Sequence, residues 1–146
     1  MKKLKPDFFL RDNVVQIAKD LVGKKIITTI DGKETSGFIT ETEAYAGQGD
    51  KACHAHLGRF TKRTQVMYEP GGVAYVYLCY GIHHLFNIIT NERDQADAVL
   101  IRAVEPIDGI DLMMQRRNMG KLKKNISSGP GNVTQALGIS KTHNAT

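Results

Sequence analysis

Hydrophobic positions recur along this chain in two rhythms. Val14, Val15, Ile17, Ala18, Leu21 and Val22 follow helical spacing, with Asp12-Asn13 ahead as a cap and Gly23 behind as a stop. Lys24-Lys25-Ile26-Ile27-Thr28-Thr29-Ile30 is rich in β-branched residues and reads as a strand. Asp31-Gly32 is a hairpin turn signal, so the strand through Phe38-Ile39-Thr40-Glu41-Thr42-Glu43-Ala44-Tyr45 returns beside it. A second hairpin follows Pro70-Gly71-Gly72. Its strands are Val73 to Tyr80 and Leu85 to Thr90, and Gly81-Ile82-His83-His84 is the expected turn. Ala98 to Glu105 is another strand, ended by Pro106. Gly109 to Asn125 reads as a basic helix, and Asn132-Val133-Thr134-Gln135 as a capping box that opens a last helix through Leu137. Strands paired as hairpins, not alternating with helices, exclude a doubly wound sheet. The pattern predicts an α+β fold, with residues 1–146 forming a single mixed domain of hairpins and flanking helices.

Strict alternation in the return strand predicts that Glu41, Glu43 and Tyr45 share a face with Ile39, opposite Phe38, Thr40, Thr42 and Ala44. Carboxylates on a half-apolar strand are costly to bury unless paired or used. They could simply line the polar face of an edge strand. The loop that follows, with Asp50, Cys53, His54 and His56, favours a site instead. Glu43 stands where a rigid strand enters that loop, and such a position aims a side chain well. Arg102 falls on the face of Ala98, Leu100 and Val104, where its charge calls for a glutamate from a neighbouring strand. A surface arginine with a snorkelling stem is the alternative. Tyr75 reads as core, and Tyr77 as either core or a stacking platform. Tyr80 and Ile82 put bulky groups on a hairpin tip, which calls for a partner such as the stacked bases of DNA.

Charge sharpens this picture. The net charge is +5. Lys51, Arg59, Lys62 and Arg63 lie in an acid-free stretch from Lys51 to Tyr68. Beyond Asp111 there is no acid, against Arg116, Arg117, Lys121, Lys123, Lys124 and Lys141. Such blocks suit a polyanion, although a solvated basic face has the same composition. Arg59-Phe60-Thr61-Lys62-Arg63-Thr64 mixes basic and hydroxyl residues as phosphate contacts do. Cys53 and Cys79 do not make a disulfide framework. The basic N-terminus lacks an apolar segment behind it, and no apolar run approaches a membrane span. The expected setting is the cytoplasm, with no membrane partner. Gly47-Gln48-Gly49 lacks the helix that a dinucleotide loop needs. Cys53, His54, His56, Cys79, His83 and His84 match no standard metal-ligand spacing.

Several of these segments, in this order, resemble one family. Ile39-Thr40-Glu41-Thr42-Glu43-Ala44-Tyr45, His54, Pro70-Gly71, Tyr75-Val76-Tyr77, Tyr80-Gly81 and Asn87-Ile88 are followed by Arg102-Ala103-Val104-Glu105-Pro106. Ser128-Gly129-Pro130 and Gln135-Ala136-Leu137 complete the series. Together they are similar to the alkyladenine (3-methyladenine) DNA glycosylases, from about Phe8 to Ile139. The resemblance implies a curved antiparallel sheet. It also implies excision of alkylated or deaminated purines from duplex DNA, with no metal, no cofactor and no obligate protein partner.

The resemblance further implies roles, position by position. Glu43 matches the general base that activates water against the sugar C1′, with Arg102 beside it. Tyr45, His54 and Tyr77 match residues enclosing the flipped base, and Asn87 the asparagine that disfavours normal guanine. Tyr80 matches the side chain that fills the gap in the duplex, with Ile82 and His83 as departures beside it. Arg59, Thr61 and Arg63 fall where the DNA backbone is contacted. Family members usually extend beyond the position of Thr146, so the resemblance implies a shortened form with an exposed apolar surface. Two other classes stay open: a damaged-DNA binder without activity, and a metal-dependent hydrolase built on His54, His56 and an acid.

Overall fold

The computed structural model describes residues 2–47 and 64–146. Helix α1 is one turn, Pro6–Phe9. Helix α2 spans Val14–Leu21, and the Asn13 side chain accepts from the Gln16 N–H at 3.0 Å as its cap. Val14, Ile17, Ala18 and Leu21 are buried, whereas Val15 and Val22 stay exposed, so the apolar stripe is narrower than composition suggests. Strands β1 (Lys25–Ile30) and β2 (Lys33–Tyr45) join through Asp31 and Gly32 at φ 54° and 74°, the left-handed pair a tight hairpin requires. After a 3₁₀ turn at Gln65–Tyr68 come β3 (Ala74–Cys79), β4 (His83–Thr90) and β5 (Asp97–Pro106). The sheet order is β1-β2-β5-β4-β3, with each neighbouring pair antiparallel. The sheet curls into a half-barrel, the curved antiparallel sheet that the resemblance implies, and with its helices gives the expected α+β fold.

Helix α3 covers only Ile110–Arg116 and does not run to Asn125. Asn118 turns left-handed at φ 54° just past its end, and the Arg117 guanidinium then ties the irregular chain back to the Ile126 and Asn125 carbonyls. Helix α4, Pro130–Leu137, begins two residues before the expected capping box. Pro130 takes its first turn and Gly129 precedes it without a side-chain cap.

Two apolar clusters hold these elements. The larger joins Ile17 and Leu21 of α2, Val133 and Leu137 of α4, and Met113 of α3 to Ile39, Val76, Val99 and Ile101 of the sheet. The smaller lies around the 3₁₀ turn and contains Met67, Tyr68, Tyr75, Ile89 and Ala98.

The register between β2 and β5 breaks twice. Ile39 opposes Val104, Glu41 opposes Ala103, and Thr42 opposes Ile101. Thr40 and Arg102 are thus extra residues, one on each strand, and the alternation of each strand slips by one there. Ile39 consequently packs into the helix-side cluster. Thr42 on that side donates from Oγ1 to the Ala18 carbonyl at 2.8 Å, and Ala44 packs there too. Glu43 and Tyr45 face the opposite way, across from Leu100 and Ala98. The expected shared face of Ile39 with Glu43 and Tyr45 is therefore corrected. Val104 likewise parts from Arg102 and joins the helix side. Glu41 is exposed. Among the described residues, no helix is long and apolar enough to cross a membrane.

Leu137 is fully buried between α4 and the sheet. Leu137→Ala is expected to lower the unfolding free energy by about 3 kcal/mol, as measured by urea denaturation. A loss below about 1 kcal/mol would show that α4 does not anchor the core.

Candidate functional site

The face that Glu43 turns to is built from strand register alone. Glu43 opposes Leu100, Leu100 opposes Asn87, and Asn87 opposes Tyr75, in one row across β2, β5, β4 and β3. Tyr45 lies two residues from Glu43, and Tyr77 two residues from Tyr75, on the same side. Arg102 reaches across from β5. Its Nη1 donates to Glu43 Oε2 at 2.8 Å, while the Tyr45 hydroxyl donates to Glu43 Oε1 at 2.8 Å. Among the described residues, each carboxylate oxygen therefore has one donor. The expected counter-charge for Arg102 is Glu43 itself.

Both side chains of this ion pair are 42% exposed. At that exposure the pair is worth no more than about 1 kcal/mol in stability, so its effect is orientation. Tyr45 is partly buried. Burial, and then its hydrogen bond to Glu43, hold its phenol well above the usual value of 10, and the charge on Glu43 pushes the same way. Tyr77 lies close enough to raise it further, and Arg102 close enough to oppose the shift. Tyr45 thus stays protonated, as a donor, across neutral pH.

Asn87 is buried in the middle of the row, and its Nδ2 donates to the Tyr75 carbonyl at 3.3 Å. That bond satisfies part of a buried amide and fixes which way it faces. Tyr75 is core, as expected. The half-buried Tyr77 packs against it with ring centroids 5.2 Å apart. The loop after α3 runs along β5 directly beside Arg102. Ser127 Oγ donates to the Val104 carbonyl at 2.6 Å, and the Gly129 N–H donates to the Arg102 carbonyl at 2.8 Å. In the sequence this segment stands out only through Ser128-Gly129-Pro130, one of the stretches that carry the family resemblance. Here it supports the backbone on which Arg102 is mounted.

The tip of the second hairpin is Tyr80-Gly81-Ile82, not residues 81–84. His83 and His84 already belong to β4. Tyr80 and Gly81 have φ of 52° and 68°, and the Ile82 N–H donates to the Cys79 carbonyl at 3.1 Å. Tyr80 is 93% exposed and Ile82 72%. Two large apolar groups project from one turn, and one of them sits on a left-handed backbone that tyrosine disfavours. His54, Arg59, Thr61 and Arg63 lie outside the described residues, as do Asp50, Cys53 and His56. Among the described residues, no three His, Cys, Asp or Glu side chains converge.

Known proteins share this arrangement's sequence. A family model described as methylpurine-DNA glycosylase matches residues 7–146. A protein of Chlamydia felis is 51% identical over 142 residues, which is 97% of this chain and 73% of the relative. One from Chlamydia pneumoniae is 51% identical over 97% of this chain and 72% of its own length. One from Natranaerobius thermophilus is 46% identical, with the same two shares, 97% and 72%. All three are provisionally named 3-methyladenine DNA glycosylases.

Residue-resolved NMR titration at alkaline pH is expected to show the Tyr45 phenol ionising well above the usual value of 10. Glu43→Gln should bring that step down without fully restoring it, since burial remains. An unchanged step in the variant would show that the two side chains are not hydrogen-bonded in solution.

Proposed function

Because the chain belongs to the methylpurine-DNA glycosylase family, we propose that it cleaves the N-glycosidic bond of alkylated or deaminated purines in bacterial DNA, after the nucleotide has flipped out of the duplex. The observation that carries this is a single carboxylate, Glu43, held between a phenol and a guanidinium in a row with Leu100, Asn87 and Tyr75.

The chemistry asks for little more. A free lone pair on Glu43 accepts a proton from water as the water oxygen bonds to C1′. The C1′–N bond breaks, its electron pair leaves with the base, and the negative carboxylate stabilises the positive sugar that develops between these events. A purine made cationic by alkylation departs as a neutral base. A neutral deaminated purine needs a proton from solvent or another acid. Arg102 holds the carboxylate in place. The rings of Tyr45 and Tyr77 offer stacking surfaces for the base, with His54 completing the enclosure. The buried Asn87 offers a fixed edge that disfavours the exocyclic amine of guanine.

Binding follows from the surface. Tyr80 and Ile82, exposed on the hairpin tip, enter the minor groove and hold the space the flipped nucleotide leaves. Arg59, Thr61 and Arg63 contact phosphates, and the surplus of positive charge draws the protein to DNA.

Glu43→Gln is expected to abolish release of hypoxanthine or 7-methylguanine from duplex DNA in single-turnover assays with EDTA present, while lesion binding persists. Retained release would refute Glu43 as the base. Binding by the unaltered protein without release would favour the inactive binder, and inhibition by EDTA the metal-dependent hydrolase. Tyr80→Ser should weaken binding to damaged duplex by about 1–3 kcal/mol. Unchanged affinity, measured by fluorescence anisotropy, would remove the minor-groove role.

A further inference from the structure

We propose that the hydroxyl of Tyr45 is a positioning group for the reaction, distinct from any stacking by its ring: it fixes the plane of the Glu43 carboxylate so that one lone pair faces the attacking water. The inference rests on the glycosylase reading above and adds a second duty for one of its residues.

Geometry supplies the grounds. Glu43 is 42% exposed, and a glutamate that open to solvent has several rotamers available. Arg102 restrains one oxygen, Oε2, from the β5 side. A single donor leaves the carboxylate free to turn about that bond. Tyr45 restrains the other oxygen, Oε1, from within β2, at the same 2.8 Å. Two donors on two oxygens from different strands fix both the position and the tilt of the group. They also leave each oxygen with capacity for one further hydrogen bond. Tyr45 suits this duty because it is backed by the smaller apolar cluster and remains a donor wherever duplex DNA is stable. Among the described residues, the charged and titratable groups that act on the Tyr45 phenol are Glu43, Tyr77 and Arg102. A phenylalanine here would stack as well and would fill the same space, so stacking alone does not call for the hydroxyl.

A consequence is that seating the base and aiming the water share one side chain. A base packed on the Tyr45 ring immobilises the same phenol whose oxygen aligns the carboxylate. Occupancy of the pocket thereby tightens the alignment of the general base.

The test is Tyr45→Phe, with single-turnover release from duplexes containing hypoxanthine, alongside affinity for the same duplex. The expected result is a rate at saturating protein lowered by about 10- to 100-fold, in line with loss of a hydrogen bond to a charged group. Affinity should stay within about twofold, because the ring is retained. A merely structural tyrosine would lower rate and affinity together. Full rate in Tyr45→Phe would overturn the inference and leave the glycosylase reading intact. So would a loss confined to affinity. Absence of release by the unaltered protein would overturn the glycosylase reading first, and this inference with it.

Discussion

The structure depends on a paired slip in register between β2 and β5. A strand lining two environments normally divides its residues by strict alternation. Here the first half of β2 sends Ile39 toward α2 and α4, and the second half must send Glu43 away from them. Without the extra residues Thr40 and Arg102, the alternation that buries Ile39 would carry Glu43 into the helix-side core, where an ionised carboxylate is costly. The slip keeps a continuous apolar layer on one side and leaves Glu43 on the other, in a row with Leu100, Asn87 and Tyr75. It also places Arg102 at the irregularity on β5, so the residue that disturbs the ladder is the one that reaches Glu43.

That row shows how little specialised structure a carboxylate site requires. Leu100, Asn87 and Tyr75 follow one another across the sheet by ordinary antiparallel pairing. The ion pair is too open to stabilise the fold appreciably, and its partners stand on different strands. Its contribution is geometric, and it depends on the sheet remaining paired. The loop at Ser127 and Gly129, stitched to β5 by short hydrogen bonds, supports that pairing where the bulge weakens it.

Much of this was legible in the chain. Both hairpins, the capped α2 helix, the end of β5 at Pro106 and the α+β class follow from turn residues and periodicity, and the structure has them. A counter-charge for Arg102 was expected from its apolar surroundings, and it is Glu43. The failures have physical causes. Alternation cannot anticipate a bulge, so it sets Ile39 on the wrong face and keeps Val104 with Arg102. Lys/Arg-rich composition extended α3 to Asn125, although Asn118 takes a left-handed turn that no helix tolerates. The capping box at Asn132 lost to Pro130, whose fixed φ opens α4 earlier. The bond from Tyr45 to Glu43 had no signal beyond spacing. Residues i and i+2 share a strand face, but nothing in their identities says that they touch. The loop residues His54, Arg59, Thr61 and Arg63 remain known from sequence alone.

The turn at Tyr80 carries a different implication. A flexible loop bearing the same two side chains would have to surrender its freedom on meeting DNA, and affinity would fall by that entropy. Tyr80 sits instead in a tight hairpin bend, left-handed at Tyr80 and Gly81 and closed by the hydrogen bond from Ile82 to Cys79, so its direction is set when the chain folds. The strain of a non-glycine residue at positive φ is borne by the hairpin in the free protein. In the minor-groove role proposed for it, the tip would meet DNA with its direction already set, a preset probe of how easily each base step opens.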